Sequence, residues 1–191
     1  MGKVYERIDD GLAAFMAAQP MFFVASAPAV GGHVNVSPKG YADTFTVLGP
    51  NHVAYLDLTG SGAETIAHLR QNGRLTVMFC SFDAKPRILR LYGTGRAALP
   101  GDEGWADLLA RFGEHPGARS VVVLSVERIA DSCGFAVPRM SLDGDRPVLD
   151  DAHRTRGPEY LREYRATRNV VSIDGLPAFG GQTPAEPAGR P

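Results

Sequence analysis

Along most of this chain apolar and polar residues alternate with a period of two, the mark of half-buried strands. The clearest case is residues 33–40, HVNVSPKG, where Val34 and Val36 share one face and His33, Asn35, Ser37 and Lys39 share the other. Four polar side chains in a row either meet water, the usual state of one face of an antiparallel sheet, or line a site. Residues 21–27, 43–48, 51–58, 75–81, 86–98 and the nearly unbroken β-branched run 120–129 read as further strands. Gly49-Pro50-Asn51 predicts a hairpin between two of them. Gly93 and Gly95 inside 86–98 predict a bulge or a close approach by another group.

A period near 3.6 replaces the alternation in a few places. Residues 5–19 place Tyr5, Ile8, Leu12, Phe15 and Met16 on one stripe, and Pro20 ends it, so a helix covering an opening of the core is expected there. Residues 102–112 carry a second stripe of Trp105, Leu108, Leu109 and Phe112, and residues 159–167 suggest a last helix. Six or seven strands, two or three helices and no regular strand-helix alternation predict a mainly β, antiparallel barrel with accessory helices. One domain over residues 1–180 and a Pro/Gly-rich flexible tail over 181–191 complete the expectation.

The stretch that carries the most chemistry is 55–74, YLDLTGSGAETIAHLRQNGR. A strand displaying Tyr55 and Asp57 on one face and Leu56 on the other runs through Thr59-Gly60-Ser61-Gly62 into a helix that Asn72-Gly73 stops. The first N–H groups of that helix lack partners, and Ser61 and Thr65 add hydroxyls, which suits a phosphate. From this stretch alone the commoner reading is a cap, with Thr59 or Ser61 at the N-cap and Glu64, three residues after Ser61, closing a capping box.

Composition adds boundaries. A 191-residue chain, 44% hydrophobic and with formal charge −1, is ordinary for a globular protein and shows no basic excess for nucleic acid or anionic membrane. No run reaches the length of a membrane helix and no leader is evident, so a cytoplasmic location is the expectation. Cys80 and Cys133 make neither a CxxC pair nor a zinc spacing, and the five histidines are scattered, so no metal is expected. HExxH, GxSxG, Walker and EF-hand motifs are absent; GTGRAA at 93–98 meets Pro100-Gly101 rather than a helix and is discarded. A hydroxyl-rich helix start, a polar strand face ending at Lys39 and arginines on a glycine-containing strand describe a site for a phosphorylated planar ligand better than a hydrolytic centre.

In this order HVNVSPKG (33–40), DLTGSGAETIAHL (57–69), NGRLTVMF (72–79), PRILRLYGTG (86–95), SCGFAVP (132–138) and SIDGLP (172–177) resemble the pyridoxamine 5'-phosphate oxidase-like family of FMN-binding split barrels. The resemblance implies a six-stranded antiparallel Greek-key split barrel and a homodimer holding FMN at the subunit interface. It implies that Val34, Asn35, Val36 and Ser37 run along the flavin ring, that Tyr55, Leu56 and Asp57 form a second flavin-contacting strand, and that Lys39 holds a substrate anion. The oxidases grip the phosphate with an Arg-Lys pair where this chain has Gly62 and Ala63. Backbone N–H groups, Ser61, Gly62, Thr65 and one of Arg74, Arg87 or Arg90 are therefore expected to hold it. The oxidases' substrate-binding Arg and Ser near the C-terminus have no counterpart, so the expected function is an FMN-dependent oxidoreductase acting on an unknown small molecule, with catalytic residues unassigned. A non-catalytic flavin-holding module and a deazaflavin-dependent reductase are the alternatives.

Overall fold

In a computed structural model, residues 2–179 are described; the expected tail, 181–191, lies outside them. Eight strands form one antiparallel sheet: β1 (Val4–Tyr5), β2 (Phe22–Ser26), β3 (Asn35–Lys39), β4 (Phe45–Gly49), β5 (His52–Leu58), β6 (Arg74–Cys80), β7 (Ile88–Ala98) and β8 (Ala118–Ser132). Four helices join them: α1 (Asp10–Ala17), α2 (Glu64–Gln71), α3 (Trp105–Leu109) and α4 (Val148–Arg168). The hydrogen-bonded order is β3-β2-β6-β7-β8-β5-β4, with β1 added on β8. The antiparallel class is as expected, but eight strands stand where the resemblance implied six. Seven of them match the stretches read as strands from the sequence; the eighth, β1, is two residues long and carries no period to read.

The long β8 organises the sheet. One edge pairs with β7 along its length, while the other is shared between β5, through Ser125 to Ala118, and β1, through Ala130 and Ile129. The β7–β8 register shifts between Tyr92 and Gly93, where a Cβ would collide with the Ser125 carbonyl oxygen. The predicted bulge is therefore present, and Gly93 is there because the crossing backbone leaves no room for a side chain.

The inner face collects Phe22, Val24, Tyr55, Val77, Phe79, Leu89, Leu91, Val122, Leu124 and Ile129 into the main core, and Leu12 and Met16 of α1 close it. Burying each of those helix side chains stabilises by roughly 1.5–3 kcal/mol. The helix begins at Asp10 rather than near Tyr5, because the Asp9 carboxylate caps it by accepting the Leu12 N–H at 2.8 Å. Tyr5 instead pairs with Ile129 in the sheet and donates its hydroxyl to Asp131 at 2.6 Å. On the opposite face of β5, Ala54 and Leu56 pack with Val121 and Val123 under Trp105, Leu108, Leu109 and Phe112. The last helix is longer than its pattern suggested: α4 is kinked at Gly157 (φ 77°), just before Pro158, which breaks the periodicity midway.

At the free end of the sheet, β3 turns its polar face inward. Asn35, Ser37 and Lys39 are half-buried, whereas Val34 and Val36 are 72% and 61% exposed. His33 stays in water, while Asn35 and Lys39 reach the start of α2 and β5.

Candidate functional site

The bend between β5 and α2 lies beside these residues, with Asn35 bonded to Thr65 just beyond it. The N-cap position of α2 is Ala63, which has no side chain to cap with, and Ser61 is exposed and hydrogen-bonds to nothing among the described residues. Thr59 is also elsewhere, its hydroxyl donating to the Gly117 carbonyl at 2.8 Å. The capping reading is thus overturned. The N–H groups of Ser61, Gly62 and Ala63 form no hydrogen bond among the described residues, and the helix dipole adds to them. Glu64, the one acid in the first turn, accepts the Ile173 N–H at 3.3 Å and lays its carboxylate against Gly62, where a Cβ would collide with it.

The polar row of β3 is wired to this bend. Asn35 donates to the Thr65 hydroxyl at 3.1 Å, and Ser37 donates to the Asn35 carbonyl at 3.0 Å. Behind Asn35 the buried Ser26 hydroxyl meets His68 Nδ1 at 3.0 Å, and burial pushes the His68 pKa down, favouring its neutral form. With the Asn35 amide occupied on both sides, β3 offers a ligand chiefly its backbone. Being an end strand paired only with β2, it has alternate N–H and C=O groups free to do so.

Asp57 anchors the second wall. Its carboxylate accepts Lys39 Nζ at 2.8 Å, Arg119 Nε at 2.7 Å and Ser120 Oγ at 3.1 Å. Burial opposes its ionisation, but Lys39 and then Arg119 outweigh it and hold the carboxyl well below the usual range. Tyr55, on the same face of β5, packs into the main core beside Phe22 with Lys39 Nζ 5.8 Å from its ring, and its buried hydroxyl has no partner among the described residues; burial and then Asp57 push its pKa well up. Leu56, on the opposite face, lines a cavity of about 700 Å³ together with Lys39, Tyr41, Leu58, Thr59 and Leu149.

Of the residues singled out from the sequence, Ser37, Asn35 and Thr65 form one hydrogen-bonded chain, Lys39 and Asp57 form an ion pair, and Ser61 and Gly62 lie in the bend just before Thr65. Val34 and Val36 face outward. The three candidate arginines lie elsewhere in the chain. Arg74 is at the far end of α2, bonded to the Pro28 carbonyl at 3.0 Å. Arg87 pairs with Asp131 at 3.0 Å and Arg90 donates to Ser132 at 3.2 Å. Those partners sit at the opposite end of the 15-residue β8 from Ala118, about 45 Å along the strand from the bend.

The arginines at the bend are ones the pattern did not single out. Arg119, 5% exposed, reaches the Gly60 carbonyl at 3.4 Å and the Asn169 carbonyl at 2.9 Å. Asn169 donates to the same Gly60 oxygen at 2.9 Å, and Arg165 donates to Thr59 Oγ1 at 2.9 Å. One signal for Arg119 was available: a carboxylate inside the apolar run 53–58 requires a buried cation, and Arg119 heads the other apolar run. No cluster of three or more metal-ligating side chains occurs among the described residues, and none of their helices is long and apolar enough to cross a membrane.

A sequence profile of the pyridoxamine 5'-phosphate oxidase family matches residues 8–133, covering β2 to β8 and the bend. The "pyridoxamine 5'-phosphate oxidase family protein ustO" of Aspergillus flavus is 47% identical over 191 aligned residues, spanning 92% of this chain and 77% of the fungal protein. Among solved structures, one from Lactobacillus delbrueckii described as a candidate pyridoxamine 5'-phosphate oxidase has a TM-score of 0.53 at 22% identity, covering 66% of this chain and 98% of that one. A histidine-to-alanine variant of HupZ from Group A Streptococcus has a TM-score of 0.51 at 20% identity, covering 65% of this chain and 99% of that one. At those identities the likeness is one of fold. The profile match and the fungal relative establish kinship as well, and this chain belongs to the pyridoxamine 5'-phosphate oxidase family.

Proposed function

We propose that the protein is an FMN-dependent oxidoreductase acting on a small molecule, with the flavin phosphate at the bend before α2 and the ring along β3. The observation that carries this reading is the bend itself: three adjacent backbone N–H groups without partners among the described residues, beside an uncommitted Ser61 hydroxyl, tied through Thr65 and Asn35 to an end strand with free backbone groups. Those residues fit a monophosphate joined to a planar ring that offers hydrogen-bonding edges. Flavin supplies hydride or electron transfer when bound, and the chain supplies orientation and electrostatics. Arg74, Arg87 and Arg90 would reach the phosphate only from a second chain. The bare valines of β3 support a dimer whose interface runs along this edge. The 700 Å³ cavity at Lys39 is of the size that small ligands occupy, and it is the place proposed for the substrate.

The test is the absorption spectrum of the purified protein with and without added FMN, followed by Ser61→Ala/Thr65→Ala. The double variant is expected to weaken FMN at least tenfold more than riboflavin, which lacks the phosphate. Absence of flavin binding, or equal loss for both ligands, would refute the assignment.

A second reading is a flavin-holding module without turnover. It is favoured by the engagement of the ionisable side chains beside the bend: Lys39 and Asp57 neutralise each other, and Arg119 is held by Asp57 and Asn169. Reduction of the bound flavin by NAD(P)H and reoxidation by a small-molecule panel would separate turnover from storage.

A further inference from the structure

The two arginines behind the bend are not equally provided for. Arg119 has a carboxylate on its Nε and the Asn169 carbonyl on its Nη1. Arg165, half-buried on the last turns of α4, has neither. Its one hydrogen bond among the described residues is Nε to the Thr59 hydroxyl, and no described carboxylate forms an ion pair with it. Asp57, the carboxylate that Arg119 uses, already serves Lys39 as well, and it forms no ion pair with Arg165. Burial and then Arg119 bring the Arg165 pKa down, the sign of a cation that lacks compensation.

Arg165 lines a cavity of about 450 Å³, distinct from the one at Lys39, together with Arg162, Pro100, Ala166, Val170 and Phe179. Arg162 stands one turn away on the same helix and only grazes Glu159, at 3.9 Å between largely exposed groups. The site therefore combines a guanidinium whose Nε is spoken for and whose terminal nitrogens are not, a second, exposed guanidinium, and an apolar wall. A planar carboxylate matches an arginine fork, and the wall favours a ligand with an apolar body over a bare inorganic ion.

The geometry points to a second ligand site here, separate from the flavin groove and from the Lys39 cavity: Arg165, assisted by Arg162, binds the carboxylate of a small organic acid whose apolar part lies against Pro100, Ala166, Val170 and Phe179. Its residues other than Pro100 follow residue 133, outside the segment matched by the family profile, and the assignment stands whether or not the groove holds FMN.

The experiment is calorimetric titration of the protein as purified with sodium benzoate, sodium acetate and inorganic phosphate, each at constant ionic strength set with sodium chloride. Benzoate is expected to bind once per chain, and acetate, with the same head and no body, at least tenfold more weakly. Arg165→Gln is expected to weaken benzoate tenfold or more, Arg165→Lys to weaken it partly, because an ammonium cannot fork, and the exposed Arg162→Gln several-fold. Phosphate that displaces benzoate supports the charged head as the main determinant; benzoate binding that phosphate leaves untouched but Arg165→Gln abolishes supports the apolar body. No benzoate binding, or unchanged affinity in Arg165→Gln judged folded by circular dichroism, overturns the site. Should Arg165→Gln not fold, unchanged affinity in both Arg162→Gln and Arg165→Lys overturns it equally.

Discussion

Replacing Asp57 by Asn removes one charge and nearly no volume, and the structure says what that charge is worth. Asp57 is the sole described carboxylate on Arg119, which is 5% exposed, and it also receives Lys39 and Ser120. The asparagine amide would present N–H groups to a cation and leave a buried guanidinium uncompensated. Removing one partner of a buried ion pair costs about 3–5 kcal/mol. At about 2–4 °C per kcal/mol for a chain of this size, the midpoint should fall by about 10 °C. Thermal and urea unfolding followed by the single tryptophan, Trp105, give the comparison. The loss should also depend on pH in one direction. The folded carboxyl is held below its ordinary value of 3.8, so its stabilisation is complete above that pH. It fades as acid protonates the unfolded chain first, down through the folded value. The parent's advantage over Asp57→Asn should therefore be full at pH 6 to 7 and shrink progressively below about pH 4. An Asp57→Leu/Arg119→Met double variant, which removes the pair together, should lose less than Asp57→Asn alone. A single variant within about 1 kcal/mol of the parent at pH 7 would show that this network is not the anchor of the second wall.

Other consequences follow from single contacts. Gly93→Ala would drive a methyl into the Ser125 carbonyl, on a backbone that cannot yield, and should cost at least about 2 kcal/mol in the same urea assay. Lys39→Met should leave riboflavin and FMN affinity within about threefold of the parent, because the ammonium is committed to Asp57; a tenfold or greater loss would make Lys39 a flavin contact. Thiol titration with a disulfide reagent should find Cys133 reactive within minutes and Cys80 silent until unfolding, since Cys133 is exposed whereas burial shields Cys80 and raises its pKa.

The strands were legible because their alternation is strong, and the pairing of β4 with β5 followed from Gly49-Pro50-Asn51. The orientation of β3 was not. A polar row and a valine row are symmetric in the sequence, and only the position of the strand at the end of the sheet decides which one faces inward. The bend before α2 was found from Thr59 to Gly62, but setting the cap aside required knowing that Ser61 stays exposed and that Ala63 takes the N-cap. The arginines were legible as a type and not as partners. Arg87 and Arg90 share a strand with two glycines, yet they answer to Asp131 and Ser132, whereas Arg165 lies more than one hundred residues from the Thr59 it touches. Contacts of that sequence separation leave no local period to detect.

The family profile matches residues 8–133, but the folding unit does not end there. A chain cut at that boundary would strip Gly60 of its Asn169 amide, Thr59 of its Arg165 guanidinium and Glu64 of the Ile173 amide, leaving the sheet complete and the bend before α2 unsupported. Domain grafting or truncation in this branch should accordingly carry the segment through Phe179 along with the sheet.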